Sequence, residues 1–161
     1  MARSKKCTYN GLSFDSLTEC AYYKVLEEKQ ANGEIFNLEI QKNFLLLEGF
    51  RMDDGTKIQG ISYTCDQYYI DKNNKIHIVD VKGAEATIKE PFRIRFKMLK
   101  NLHRDWIYHV VIRYDGQWID LENKEDKKLY KELKAKKKIE RENKKKLKAK
   151  KPTTKNNKTK K

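Results

Sequence analysis

Gly60-Ile61-Ser62-Tyr63-Thr64-Cys65-Asp66-Gln67-Tyr68-Tyr69-Ile70-Asp71-Lys72-Asn73-Asn74-Lys75-Ile76-His77-Ile78-Val79-Asp80-Val81-Lys82-Gly83 is the stretch that decides how this chain folds. Two apolar, aromatic and β-branched runs flank the polar segment Asp71 to Lys75, the pattern of a β-hairpin with a short Asn-containing loop. Each run carries one acid that does not belong in it. Asp66 interrupts the first, and Asp80 ends the apolar part of the second just before Val81-Lys82-Gly83.

Side chains alternate faces along a strand, so Asp80 and Lys82 share a face and Val81 points to the other. If the loop is Lys72 to Asn74, Asp71 pairs with Lys75, and counting outward sets Asp66 opposite Asp80. Opposed residues hold their Cβ atoms roughly 4.5 to 5.5 Å apart, where like charges destabilise. A divalent cation between the two carboxylates would give that register a reason. A shorter Asn73-Asn74 turn instead slips the pairing by one and sends the acids to opposite faces, as ordinary strand-end residues.

Upstream, Ser16 and Glu19 have the spacing of a capping box, and a helix is expected from there to Asn32-Gly33. Glu19 reads either as that cap or as a third carboxylate delivered to Asp66 and Asp80. Residues 35 to 38 and 41 to 48 are strand-like, and Asp53-Asp54-Gly55 is a turn leading to the hairpin. Downstream, Pro91 opens a helix from about Phe92 to Arg104. On it Arg93, Lys97, Lys100 and Arg104 fall within a ~60° arc, either a phosphate-tracking stripe or a solvated face. Trp106 to Tyr114 is a strand that turns at Asp115-Gly116.

The net charge of +14 is uneven: residues 1–123 hold 18 basic and 18 acidic side chains, whereas residues 124–161 hold 19 and 5. A near-neutral domain, 1–123, thus carries a polycationic tail, 124–161, helical to about Pro152 or disordered, with apolar residues too sparse for a core. The balance suggests a polyanion, most often nucleic acid, as partner; the other reading of such a tail is a solubilising extension. No apolar run spans a bilayer and Met1 to Lys6 lacks a secretory pattern, so a cytoplasmic protein without membrane contact is expected. The three cysteines form no CxxC and read as reduced thiols; His77, His103 and His109 lack metal-ligand spacing and read as structural. No glycine-rich phosphate loop, GxSxG or Cys/His nucleophile pairing occurs.

The order helix with Glu19, strand, strand with Asp66, strand with Asp80-Val81-Lys82, helix, strand resembles the core of the PD-(D/E)xK nuclease superfamily. Phe14-Asp15-Ser16-Leu17-Thr18-Glu19, Gln41-Lys42-Asn43-Phe44 and Asp80-Val81-Lys82-Gly83 are similar in particular to short phage-encoded, Holliday junction resolvase-like members. The superfamily's proline is absent before Asp66, where Cys65 stands, as in many members. The tripeptide itself is unspecific in so lysine-rich a chain; only the copy at Asp80 follows a strand-like run, has an acid in the neighbouring strand and precedes a glycine.

The resemblance implies an α/β, restriction-endonuclease-like α-β-β-β-α-β core with a mixed central sheet. It implies a metal-dependent DNA endonuclease acting on branched or recombining phage DNA, a homodimer if it resolves junctions, in the host cytoplasm if phage-encoded. Glu19, Asp66, Asp80 and the Val81 carbonyl would hold Mg²⁺ or Mn²⁺, and Lys82 would orient the attacking water. The stripe from Arg93 to Arg104 and the tail would grip DNA. The alternative is a non-catalytic nucleic-acid-binding accessory protein whose acids are caps and turn residues.

Overall fold

The loop after Asp71 closes in the longer of its two forms. The Asp71 N–H donates to the Lys75 carbonyl at 2.9 Å, and the Asp71 carboxylate accepts from the Asn73 and Lys75 amides, both at 2.9 Å. Asn74 takes a left-handed φ of 60°, which asparagine tolerates better than most residues. The register follows: Gln67 opposes Val79, Tyr68 opposes Ile78 and Tyr69 opposes His77.

The computed structural model describes residues 5–149. It runs β1 (Cys7–Tyr9), β2 (Leu12–Phe14), α1 (Leu17–Ala31), β3 (Ile35–Ile40), β4 (Asn43–Leu47), β5 (Phe50–Arg51), β6 (Lys57–Ile58), β7 (Ile61–Thr64), β8 (Gln67–Asp71), β9 (Ile76–Lys82), α2 (Glu90–Leu102), β10 (Ile107–Tyr114), β11 (Gln117–Asp120) and α3 (Lys124–Ala149). The fold is mixed α/β, with a central sheet in the order β11-β10-β9-β8-β3. Only β9 and β10 are parallel in it, and α2 makes the crossover that a parallel pair needs.

Both faces of the sheet are covered. Leu26 of α1 packs with Ile35, Tyr69, Val79, Val81 and Val111 on one side. Phe96 and Leu99 of α2 pack with Tyr68, Ile78 and Val110 on the other. This explains why β9 is apolar on both faces: it is buried on both. Asp80 and Lys82 share the parity of Ile78 and so belong to the α2 face.

The first run is interrupted where Asp66 stands, at Cys65-Asp66, and its partner strand is broken at the same level, at Gln41-Lys42. The Cys65 N–H donates to the Lys42 carbonyl and the Gln41 N–H to the Asp66 carbonyl. β3 with β8, β4 with β7 and β5 with β6 therefore form one long antiparallel ribbon, bent where it leaves the central sheet. Beyond the bend Leu46 and Tyr63 fold over Phe96 and Leu99 of α2. A second kink needs glycine: a Cβ on Gly60 would lie 2.8 Å from the Leu47 carbonyl oxygen. Asp53 and Asp54 are in the tip turn, where Asp54 accepts from the Thr56 amide at 2.8 Å.

Part of the segment beyond Asn123, expected to bury nothing, is packed. Tyr130 of α3 is 8% exposed and sits with Ile112 and Ile119, flanked by Leu133, with its ring edge-on to Tyr114 at 4.9 Å. The Asp126 carboxylate accepts from the Asp120 N–H at 2.8 Å, which pins the first turn of the helix to β11. The stretch from Pro152 onward, expected to be disordered, falls within residues 150–161, which lie outside the described residues. Among the described residues no helix is long and apolar enough to cross a membrane.

Candidate functional site

Asp80 is 3% exposed, in the middle strand of the central sheet. One carboxylate oxygen, Oδ1, is ion-paired with the Lys82 ammonium two residues along the same face. The other, Oδ2, is buried with no hydrogen-bond partner. Leaving such an acceptor unmatched is costly, and an ionised one more so. Burial accordingly pushes the Asp80 carboxyl up, against the pull of Lys82, and the nearby Glu19 adds to the rise. Burial disfavours the Lys82 charge, but Asp80, Asp66 and Glu19 together outweigh it and raise the ammonium above its ordinary value. The same ammonium lies 4.5 Å from the centroid of the Phe92 ring on α2.

Asp66 stands in the bend. Its N–H donates to the Val79 carbonyl at 3.1 Å, and its Oδ2 accepts from the Val81 N–H at 2.6 Å. The carboxylate thus takes a ladder position that a backbone carbonyl would fill in an unbroken strand. Burial pushes it up to about 6; Lys82 and the Val81 amide pull it down, while Glu19 and Asp15 push it further up. The structure therefore brings Asp66, Asp80 and Lys82 into one electrostatic cluster.

Glu19 is the cap. Its Oε1 accepts from the Ser16 hydroxyl at 2.8 Å and its Oε2 from the Asp15 amide at 3.1 Å, while its own N–H donates to Ser16 Oγ at 3.1 Å. It influences Asp66 and Asp80 through space, but its oxygens are engaged at the helix start. Among the described residues no three His, Cys, Asp or Glu side chains are grouped to hold a metal ion. The carboxylates at hand for a cation are Asp66 and Asp80, and the unmatched Asp80 oxygen fits one: a hard cation takes oxygen donors and would offset the charge that burial now penalises.

Gln67, beside Asp66, escapes the sequence reading. It is fully buried, and its amide donates to the Glu19 carbonyl at 3.0 Å, tying the start of α1 to the sheet. A polar residue inside the run Cys65 to Ile70 is the signal that marks it.

The basic stripe is shorter than expected. α2 ends at Leu102, and Arg104, beyond it, turns back to the Asn101 carbonyl and side chain at 3.3 and 2.7 Å. Arg93, Lys97 and Lys100 instead line a groove between α2 and α3, together with Lys127, Lys131 and Lys134. Lys100 is ion-paired with Glu122, and Lys134 with Glu85.

Two of the histidines belong to a separate cluster. His77 Nδ1 and His109 Nε2 meet at 2.8 Å between parallel rings, His77 Nε2 faces Asp71 at 3.3 Å, and His109 Nδ1 faces Asp120 at 2.7 Å. Tyr69 stacks on His77 at 4.5 Å. Burial lowers the His77 imidazole below its ordinary value, against the pull of Asp71 and with a further push from His109.

Residues 2–116 match the model of a family described as "Protein of unknown function (DUF1064)". No curated protein and no solved structure matches the chain.

Proposed function

The chain belongs to the DUF1064 family, described as of unknown function, and from the Asp66/Asp80/Lys82 cluster we propose that it is a metal-dependent DNA endonuclease with a restriction-endonuclease-like core. The single observation that carries the reading is the buried Asp80 with one oxygen on Lys82 and the other on nothing. A structural ion pair gains from having every lone pair matched; a site that receives a cation needs one left open.

Asp66 and Asp80, with the Val81 carbonyl, would hold Mg²⁺ or Mn²⁺, and Glu19 would join by giving up Ser16. When bound, such an ion polarises the scissile phosphate and lowers the pKa of a water molecule. Lys82, released from part of its attraction to Asp80, would orient the attacking water and offset charge growing on the phosphate. Gln67 would keep the start of α1, and Glu19 with it, against the sheet. The substrate we assign is branched or recombining DNA, and a junction with two strands to cut calls for a homodimer. The rival reading, a non-catalytic nucleic-acid-binding accessory protein, is favoured by the engagement of both Glu19 oxygens in the cap.

Four-way junction, duplex and single-stranded DNA incubated with Mg²⁺ or with EDTA decide between them. Cleavage is expected with Mg²⁺ only, and Asp80→Ala and Lys82→Ala are expected to lose it by about a hundredfold or more while retaining DNA. No cleavage of any substrate by the wild type, or cleavage that survives Asp80→Ala, would sink the enzymatic reading.

A further inference from the structure

The groove between α2 and α3 encloses a cavity of about 660 Å³. Its α2 wall carries Arg93 and Lys97 at i and i+4; its α3 wall carries Lys127 and Lys131 at the same spacing, so each wall presents one row of cations. The acids that line it, Glu85 and Glu122, are each taken by a lysine, which leaves these four cations without an ion pair among the described residues. The floor is apolar: the half-buried Phe92 ring is its accessible aromatic surface, over the buried Phe96 and Tyr130, whose rings lie against the ammonium groups of Lys100 and Lys134. Phe92 also faces Lys82, so the groove opens beside the Asp80 cluster. The α3 wall lies outside the segment that the family match covers.

We propose that this groove is a track for single-stranded nucleic acid, with phosphates along the two cation rows and bases toward the apolar floor. Rows of cations flanking an apolar floor with the Phe92 ring in it suit a strand whose base faces are free. A duplex hides its base faces in the stack and presents only phosphates, so it gains nothing from the floor. The inference deepens the nucleic-acid part of the proposed function, and it stands apart from hydrolysis because binding needs neither Asp80 nor a metal.

The test is fluorescence anisotropy of a labelled oligothymidylate with the full chain in EDTA, across a salt series. Lys97→Glu/Lys131→Glu is expected to weaken binding on the order of tenfold or more and to flatten the slope of log K against log salt by about 1.4, at ~0.7 per phosphate contact on a single strand. Lys128→Glu/Lys136→Glu makes the same charge change on α3 away from the groove and is expected to lose less. Unlabelled duplex of equal length is expected to compete poorly. Equal losses in the two double variants, an unchanged salt slope, or preferential displacement by duplex would each overturn the track. Circular dichroism checks that the variants are folded, and Lys97→Gln/Lys131→Gln repeats the comparison with a milder change. Asp80→Ala is expected to bind like wild type, so loss of cleavage with binding intact, and loss of binding with cleavage intact, report on different proposals.

Discussion

β9 carries a cluster of charged groups at each end, and the two are finished in opposite ways. Near its start, on the α1 face, His77 joins His109, Asp71 and Asp120 in a chain of contacts in which each carboxylate also accepts backbone amides: Asn73 and Lys75 on Asp71, Val110 and Glu122 on Asp120. Near its end, on the α2 face, Asp80 is left with an unmatched oxygen. The acidities follow. The Lys75 amide leads in holding Asp71 below the usual carboxylate range; burial would raise Asp120, but His109 and the Glu122 and Val110 amides outweigh it. Asp66 and Asp80 are pushed up by burial instead. Burial alone does not separate the two clusters. Unmatched buried atoms also occur on Tyr63 and Gln67, and what sets Asp80 apart is that its open atom belongs to a carboxylate, the group a cation would complete.

The largest effect on stability is expected at the completed cluster. Asp120→Ala strips the acceptor from His109 Nδ1 and from the Val110 and Glu122 amides and should cost roughly 3 kcal/mol in urea unfolding at neutral pH. Cleavage per folded molecule should be unchanged; a folded Asp120→Ala that no longer cuts would move the working site to the tetrad.

Asp66→Asn should act with the other sign. A carboxyl raised from 3.8 to about 6 carries a penalty that is absent below the unfolded pKa and sets in as pH rises toward the folded one. Without metal the variant should match wild type at pH ~4 and exceed it at pH ~7 by roughly 2 kcal/mol, solvent screening allowed for. Asp120, with its depressed pKa, contributes stability above the unfolded value that is lost as pH falls through the folded one. Urea midpoints at the two pH values sharpen the contrast, and an equal gain at both would remove the buried-charge explanation of Asp66.

The smallest effect is on melting. Mg²⁺ at ten times its Kd should stabilise the wild type by about 1.4 kcal/mol, a rise of roughly 3 to 5 °C, and Asp66→Asn by less. Equal shifts in both would mean that the ion acts on the surface at large.

Much of this arrangement was legible in the sequence because it is local. The Asp71 to Lys75 loop sets the hairpin register by its own length, and that register decides which residues meet Asp66 and Asp80. Ser16 and Glu19 declare the start of α1 within a single turn. The bend at Asp66 is different: it depends on whether the Cys65 amide finds the Lys42 carbonyl, a choice made by a strand far away in sequence. The docking of α3 turns on Tyr130 and Leu133 in a run of lysines, too weak a stripe to announce a packed face. Gln67 shows in the sequence as a polar residue inside an apolar run, but its partner, the Glu19 carbonyl, is supplied only when the start of α1 lies over it.

The ribbon from β3 to β8 bears on how this chain reaches its fold. Its ladders are nested, with the turn at Asp53 to Thr56 innermost, so pairing can zip outward and each new pair forms next to one already made. The entropy of loop closure is then incurred chiefly once, at the tip, and Ile35 meets Asp71 across a span that would otherwise have to close as a long loop. A sheet edge assembled in this way behaves kinetically like a local element, although its outermost contacts are distant in sequence.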